Sequence, residues 1–413
     1  IMVNFNRFTL ANGLKVLVHE DTTTPMAVLN ILYDVGARDE EPGKTGFAHL
    51  FEHLMFGGSI HIPSYDEPLQ RVGGENNAFT SNDITNYYIT LPAVNLETAF
   101  WLESDRMLSL AFSEKSLETQ RNVVMEEFKQ RYLNQPYGDV WLKLRPLAYQ
   151  SHPYKWATIG QDLAQIENAK MEDVRAFFEK HYNPLNAIMV VGGNVKTEEV
   201  KKLAEKWFEP IPSGKKYHRN LPTEPLQTEA KTLTVNANVP LNAIYIAFKM
   251  PARNDASYQV FDLLSDILSQ GQSSRLYNTL LKEQQLFSDI NAYITSSLDE
   301  GLFVVEGKLI EGVEMEKAEE AIWTELLKLT QNYVSTDELT KVKNKAESIM
   351  VFAEMNLLDK AMNLAYYELL GDANLLNIEI DKYLAITAEQ IKDAATTTFV
   401  KQKSSTLYYL ANA

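Results

Sequence analysis

A proline-rich stretch near the middle of the chain, EPIPSGKKYHRNLPTEPLQTEA over residues 209–230, constrains the fold more than any other feature. Pro210, Pro212, Pro222 and Pro225 remove backbone donors and fix φ, so no helix or central strand runs through it. The same order of patterns recurs on either side. The first half opens with the turn Asn12-Gly13, strand-like apolar runs at 14–18 and 27–35, and a helical periodicity after Gly46. The second half opens with strand-like runs at 231–236 and 243–250 and a helical pattern over 256–268. Both halves also close alike, a helical stretch (171–180; 388–395) leading into an apolar strand (187–191; 406–410). This order argues for a duplicated α+β unit: an N-terminal domain over 1–209, a linker over 210–230 and a homologous C-terminal domain over 231–413.

Charge and composition narrow the chemistry. Asp and Glu outnumber Lys and Arg by 55 to 39, a net charge of −16, which is the wrong sign for binding a polyphosphate backbone, so no nucleic-acid partner is expected. No apolar run approaches the roughly 18 residues of a membrane span, and no membrane partner is expected. The chain has no cysteine, so any metal must be held by histidines and carboxylates.

Two of only seven histidines, His49 and His53, lie four residues apart with Glu52 between them in GFAHLFEHLMFGGS. On a helix that spacing puts both imidazoles on one face, within reach of one ion. Glu52, one residue before the second histidine, can approach a water at such an ion without being the obvious third ligand, which suits a general base. The alternative is a pair of satisfied structural histidines, but burying three ionisable groups among Leu50, Phe51, Leu54, Met55 and Phe56 is costly without a shared purpose. The helix is expected to stop at Gly57-Gly58. A third ligand is available in the adjacent pair Glu126-Glu127, on a helical pattern that follows the candidate cap Ser113 and ends before Pro136. Adjacent helical residues point about 100° apart, so only one of the two faces a site, and spacing alone does not say which. Upstream, 77–80 and 86–91 read as strands joined by the turn Ser81-Asn82-Asp83.

These residues resemble the inverted-zincin metallopeptidases of family M16, the insulysin, pitrilysin and mitochondrial processing peptidase family, in which H-x-x-E-H replaces H-E-x-x-H. The resemblance runs through LANGLKVLVHE, VGARDEEPGKTGFAHLFEHLMFGGS, GGENNAFTSNDITNYYITLP, RNVVMEEF, HPYKWATIG and HYNPLNAIMVVGGNV, in the family's order. It implies two homologous α/β-sandwich domains of the kind found in mitochondrial processing peptidase, each a largely antiparallel or mixed sheet with helices packed on one side. It further implies one Zn2+ per chain on His49, His53 and Glu127, with Glu126 turned away, Glu52 as general base, and hydrolysis of extended peptides. Asn77, Ala78 and Phe79 resemble the family's substrate-facing edge strand, to which a peptide adds as a further strand.

Two departures stand beside the match. Gln120 occupies the position, seven residues before the distal ligand, where many relatives carry a second glutamate. In the second half, SSRLYNTLLKEQQLFSDI places Leu281 and Ser288 where active members carry an Arg and a Tyr that bind substrate; Arg275 and Tyr277 fall on a different part of the motif. The expectation is therefore a zinc-bearing chain that works with an Arg/Tyr-bearing homologue as a heterodimer, with a homodimer of low activity as a further option. A structural or peptide-binding subunit of the same fold is the competing function. Met2 as a start favours the cytoplasm, and the periplasm applies if a signal segment precedes Ile1.

Overall fold

Strand pairing in a computed structural model, which describes residues 2–413, resolves the chain into two sheets of matching topology. The first contains β1 (Asn6–Thr9), β2 (Lys15–Glu20), β3 (Met26–Tyr33), β4 (Glu75–Thr80), β5 (Thr85–Pro92) and β6 (Ala187–Gly193), in the order β1-β2-β6-β3-β5-β4. The second contains β7 (Lys231–Ala237), β8 (Ala243–Met250), β9 (Phe287–Ile294), β10 (Gly301–Leu309) and β11 (Ser404–Ala411), in the order β7-β11-β8-β10-β9. In each sheet one pair is parallel, β2 with β6 and β7 with β11, and it joins a run of antiparallel neighbours. Leaving out β1, the two sheets match strand for strand in order and pairing direction, which bears out the duplicated α+β unit. The match survives low residue identity because it resides in the alternation of apolar runs and turns.

Central strands are buried on both faces and therefore read as unbroken apolar runs. All seven residues of β6 are buried, as are seven of the eight in β3. The polar exception in β3, Asn30, is fully buried and satisfied: its side-chain amide and that of Asn86 on β5 donate to each other at 2.9 and 2.8 Å.

The compact units do not follow the linear division at residues 210–230. One comprises the chain up to Arg131 with Trp156–Leu221 and Val351–Ile378; the other comprises Tyr132–Lys155, Pro222–Met350 and Glu379–Ala413. Each unit thus takes a helix from the opposite half of the sequence. In the first, the helix Leu357–Leu370 packs on β6, β3 and β2, burying Ala361, Leu364 and Ala365. In the second, most helices share one sheet face, where Ile244, Ile246, Phe248, Phe303 and Val305 point toward Leu264, Leu326 and Ile391. The alternate residues Ala243, Tyr245, Ala247, Leu302 and Val304 face the helix Val140–Ala148. Among the described residues no helix is long and apolar enough to cross a membrane.

Candidate metal centre

The histidine pair lies on a short helix, Phe47–Leu54, whose start is set by backbone geometry. Gly46 adopts a left-handed φ of +85°, and a Cβ there would lie 2.8 Å from the Ile159 carbonyl oxygen, so glycine serves both the turn and the close approach. The free N–H groups of the first turn are met by Glu40: Gly46 N–H donates to its Oε1 at 3.1 Å and Ala48 N–H to its Oε2 at 2.8 Å. Burial nevertheless pushes the Glu40 carboxyl up to about 8. The helix ends where Gly57 N–H bonds the Leu54 carbonyl and Gly58 turns with φ +105°, close to the stop expected at Gly57-Gly58.

One helical turn places the two imidazoles edge to face, ring centroids 4.8 Å apart, with their Nε2 atoms separated by 3.3 Å. Glu127 reaches them from a second helix, Glu114–Phe128, whose cap is the expected Ser113, its Oγ accepting the Ser116 N–H at 3.2 Å. Glu127 Oε2 lies 3.6 Å from Nε2 of both His49 and His53. Glu126 turns outward, its side chain 62% exposed and 3.3 Å from Lys129. The geometry therefore brings together His49, His53 and Glu127, and leaves Glu126 in solvent.

Donors about 2.0–2.1 Å from a shared tetrahedral ion stand about 3.3–3.4 Å from one another. The three separations, 3.3, 3.6 and 3.6 Å, fit that requirement for a divalent ion such as zinc. Protonation fits as well. Burial, reinforced by the neighbouring His53, pulls the His49 imidazole down to about 4, so its lone pair is free at neutral pH. His49 Nδ1 is buried and finds no protein acceptor, whereas metal-ligating imidazoles usually hand their second N–H to a carboxylate or carbonyl.

Glu52, on the same helix, is not one of the three donors but feels the charges of His53 and Glu127. Its carboxylate accepts a hydrogen bond from the Thr80 hydroxyl at the end of β4, and burial raises it above the ordinary carboxylate range while that hydroxyl pulls it back. β4 is the edge strand of its sheet, paired only with β5; Asn77 and Phe79 are exposed and Ala78 is half-buried on the opposite face, shared with Thr80. Gln120 stands two turns before Glu127 and is half-buried.

Two residues with a part in this arrangement, Glu40 and Arg131, were not singled out from the sequence, and Thr80 was read only as the end of the edge strand, with no tie to Glu52. Arg131 donates to Glu127 Oε1 at 2.8 Å, leaving Oε2 for the histidines. The i, i+4 spacing of Glu127 and Arg131 was a legible signal. It extends into a five-residue π-helical stretch, Lys129–Leu133, that succeeds the α-helix before Pro136. In the second unit, Leu281 packs against the core and Ser288 lies exposed on β9, its Oγ 3.3 Å from the Lys308 carbonyl. Arg275 is committed to Glu338 through two bonds of 2.9 Å. A cavity of about 720 Å³ elsewhere in the first unit, walled by Phe178, Tyr182, Ile211 and Tyr217, contains none of the metal-centre residues.

Residues 15–161 match the family described as Insulinase (Peptidase family M16), and residues 168–346 match the Peptidase M16 inactive domain. The zinc protease PqqE of Helicobacter pylori is 31% identical over 414 residues, covering 95% of this chain and 92% of that protein. The uncharacterized zinc protease YmxG of Bacillus subtilis is 24% identical, covering 96% of both chains. The crystal structure of a protease from Helicobacter pylori superimposes with a TM-score of 0.92 at 30% identity, over 99% of this chain and all of that one. With both domain models matched in order and a 31% identical relative aligned along nearly its whole length, the chain belongs to peptidase family M16.

Proposed function

We propose that the protein is a zinc-dependent endopeptidase acting on unstructured peptides, with one Zn2+ per chain held by His49, His53 and Glu127. The observation that carries this reading is the set of three donor atoms 3.3–3.6 Å apart beside a half-buried, hydrogen-bonded Glu52. Zinc supplies Lewis acidity toward water and the scissile carbonyl. Glu52 takes the proton of the attacking water and returns it to the leaving amine, and the raised affinity of its half-buried carboxyl for a proton suits both steps. The free edge of β4, at Asn77, Ala78 and Phe79, accepts the peptide backbone as an added strand, which selects extended chains over folded ones. The relatives named zinc protease support the same chemistry.

Leu281 and Ser288 offer neither a cation nor a phenol to a tetrahedral oxyanion, so the chain works best as the zinc-bearing member of a pair with a homologue that supplies them. The same two residues, inside the segment that matches the inactive domain, favour a second reading: a structural or peptide-binding subunit that does not cleave. One experiment separates the readings. Zinc stoichiometry is measured on the purified chain, and cleavage of a quenched-fluorescent peptide is followed with and without chelator, alone and mixed with an Arg/Tyr-bearing homologue. The expected result is one zinc per chain and chelator-sensitive cleavage that rises on mixing. Glu52→Gln should keep the zinc and lower turnover by about 10²–10⁴-fold. A wild-type chain that binds zinc and peptide but cleaves under neither condition would establish the second reading.

A further inference from the structure

The Thr80 hydroxyl donates to Glu52 Oε2, and among the described residues no other group hydrogen-bonds that carboxylate. Thr80 itself has little freedom. It closes β4 in register with Thr85 of β5, whose own hydroxyl donates to the Val35 carbonyl at 2.8 Å. In the turn that follows, Ser81 N–H bonds the Ile84 carbonyl at 2.9 Å, and Ser81 Oγ accepts the N–H groups of Asp83 and Ile84, both at 3.1 Å. The carbonyls of Ser81 and Asn82 in turn accept the N–H groups of Ala37 and Arg38 at 3.2 and 2.8 Å, and the Arg38 guanidinium lies 3.3 Å from Asp83. A donor fixed by this many ties restricts the acceptor it holds. A Glu carboxylate otherwise swings broadly about its last torsion, so that either oxygen faces the reaction.

We infer that Thr80 is a positioning residue for hydrolysis: its hydroxyl pins Glu52 Oε2, leaves Oε1 as the oxygen that takes the proton, and ties the general base to the strand that receives the peptide. The inference rests on the reading of Glu52 as general base. It joins two parts of the site that sequence treats separately, the H-x-x-E-H helix and the edge strand. Alternation along β4 sets Thr80 and Ala78 on one face, so a peptide laid along Asn77–Phe79 runs toward the residue that orients the base. Held groups of this kind contribute because no reorganisation is needed when the proton moves.

Thr80→Val, which keeps shape and removes the donor, is compared with Thr80→Ser, which keeps the donor. Turnover and zinc content are measured for both, with Glu52→Gln alongside. Thr80→Val should lower kcat by about 10–100-fold with KM and one-zinc stoichiometry retained, and Thr80→Ser should restore most of it. Wild-type kcat in Thr80→Val, or a serine variant no better than the valine one at equal melting temperature, overturns the inference. Hydrolysis surviving Glu52→Gln overturns the general-base reading instead. A second readout does not depend on turnover: in metal-free crystals of Thr80→Val the Glu52 carboxylate should leave the position it holds in the wild-type chain, and an unmoved carboxylate counts against Thr80 whatever the activity.

Discussion

Glu126 and Glu127 are chemically identical neighbours, and only their angular position on one helix distinguishes them. A difference of about 100° puts Glu127 Oε2 3.6 Å from two imidazole nitrogens and puts Glu126 beside Lys129 in solvent. Substitution should therefore separate them sharply. Glu127→Gln removes an anionic oxygen from a three-donor site and should weaken zinc binding by at least ten-fold, whereas Glu126→Gln should leave it within about two-fold, as read by competition with a chromogenic chelator. Equal losses in the two variants would mean that the helix face has been misassigned. The periodicity of this helix was legible in the sequence, and so were the histidines, because H-x-x-E-H is rare at this histidine content. Which glutamate faces inward was not legible from spacing, and only the family resemblance pointed to Glu127. That depends on how the helix Glu114–Phe128 is rotated against the helix Phe47–Leu54, a packing outcome that local spacing does not encode.

At the scale of elements, strands and turns were legible where two signals agreed. The hairpin of β4 and β5 was bracketed by the turn chemistry of Ser81-Asn82-Asp83 and came out one or two residues longer at its ends than the apolar pattern suggested. The helix Val140–Ala148 escaped notice because Pro146 lies inside it, near its C-terminal end. The proline-rich segment, read as a linker, has no helix or strand, yet its first part is a fixed strap on the first unit. Arg219 bonds Asp39 at 2.6 Å and Asp34 at 3.0 Å, Tyr217 OH bonds Asp39 at 2.9 Å, and the Tyr217 ring meets the His181 ring at a centroid distance of 4.6 Å. His181, the last residue of the helix Met171–His181, is enclosed by this strap and by Phe177, and burial pulls its imidazole down to about 4. In the unfolded chain the same group takes its proton near 6.5. The stabilisation from keeping it neutral is then complete above pH 6.5 and is lost as pH falls toward 4, a loss of the order of 3 kcal/mol. Urea midpoints should fall between pH 7 and pH 5, and His181→Phe should flatten that dependence; an unchanged slope would remove His181 as its cause.

For the molecule as a whole, the exchange of helices between the sequence halves decides how the chain can be divided. An amphipathic pattern over Leu357–Leu370 announces a helix but not the sheet it covers, which is why the linear division at the proline-rich segment was natural and incomplete. Leu364 and Ala365 are fully buried there and Ala361 nearly so. A fully buried leucine alone contributes about 1.5–3 kcal/mol, against a typical net stability of about 5–15 kcal/mol for a folded protein. A fragment of residues 1–209 lacks this helix, so part of β2, β3 and β6 is left uncovered. It also retains the helix Val140–Ala148, which packs on β8, β11 and β7 of the other unit and would have no sheet to bury against. Such a fragment should bind a hydrophobic dye, unfold without a cooperative urea transition and hold zinc weakly, although it contains every residue of the proposed metal centre. Coexpression with residues 210–413 should restore both cooperativity and stoichiometric zinc, because the missing helix is then available in trans. A lone 1–209 fragment with a sharp transition and full zinc content would show that the exchanged helix is dispensable and that the duplicated unit, as read from the sequence, is also the unit that folds.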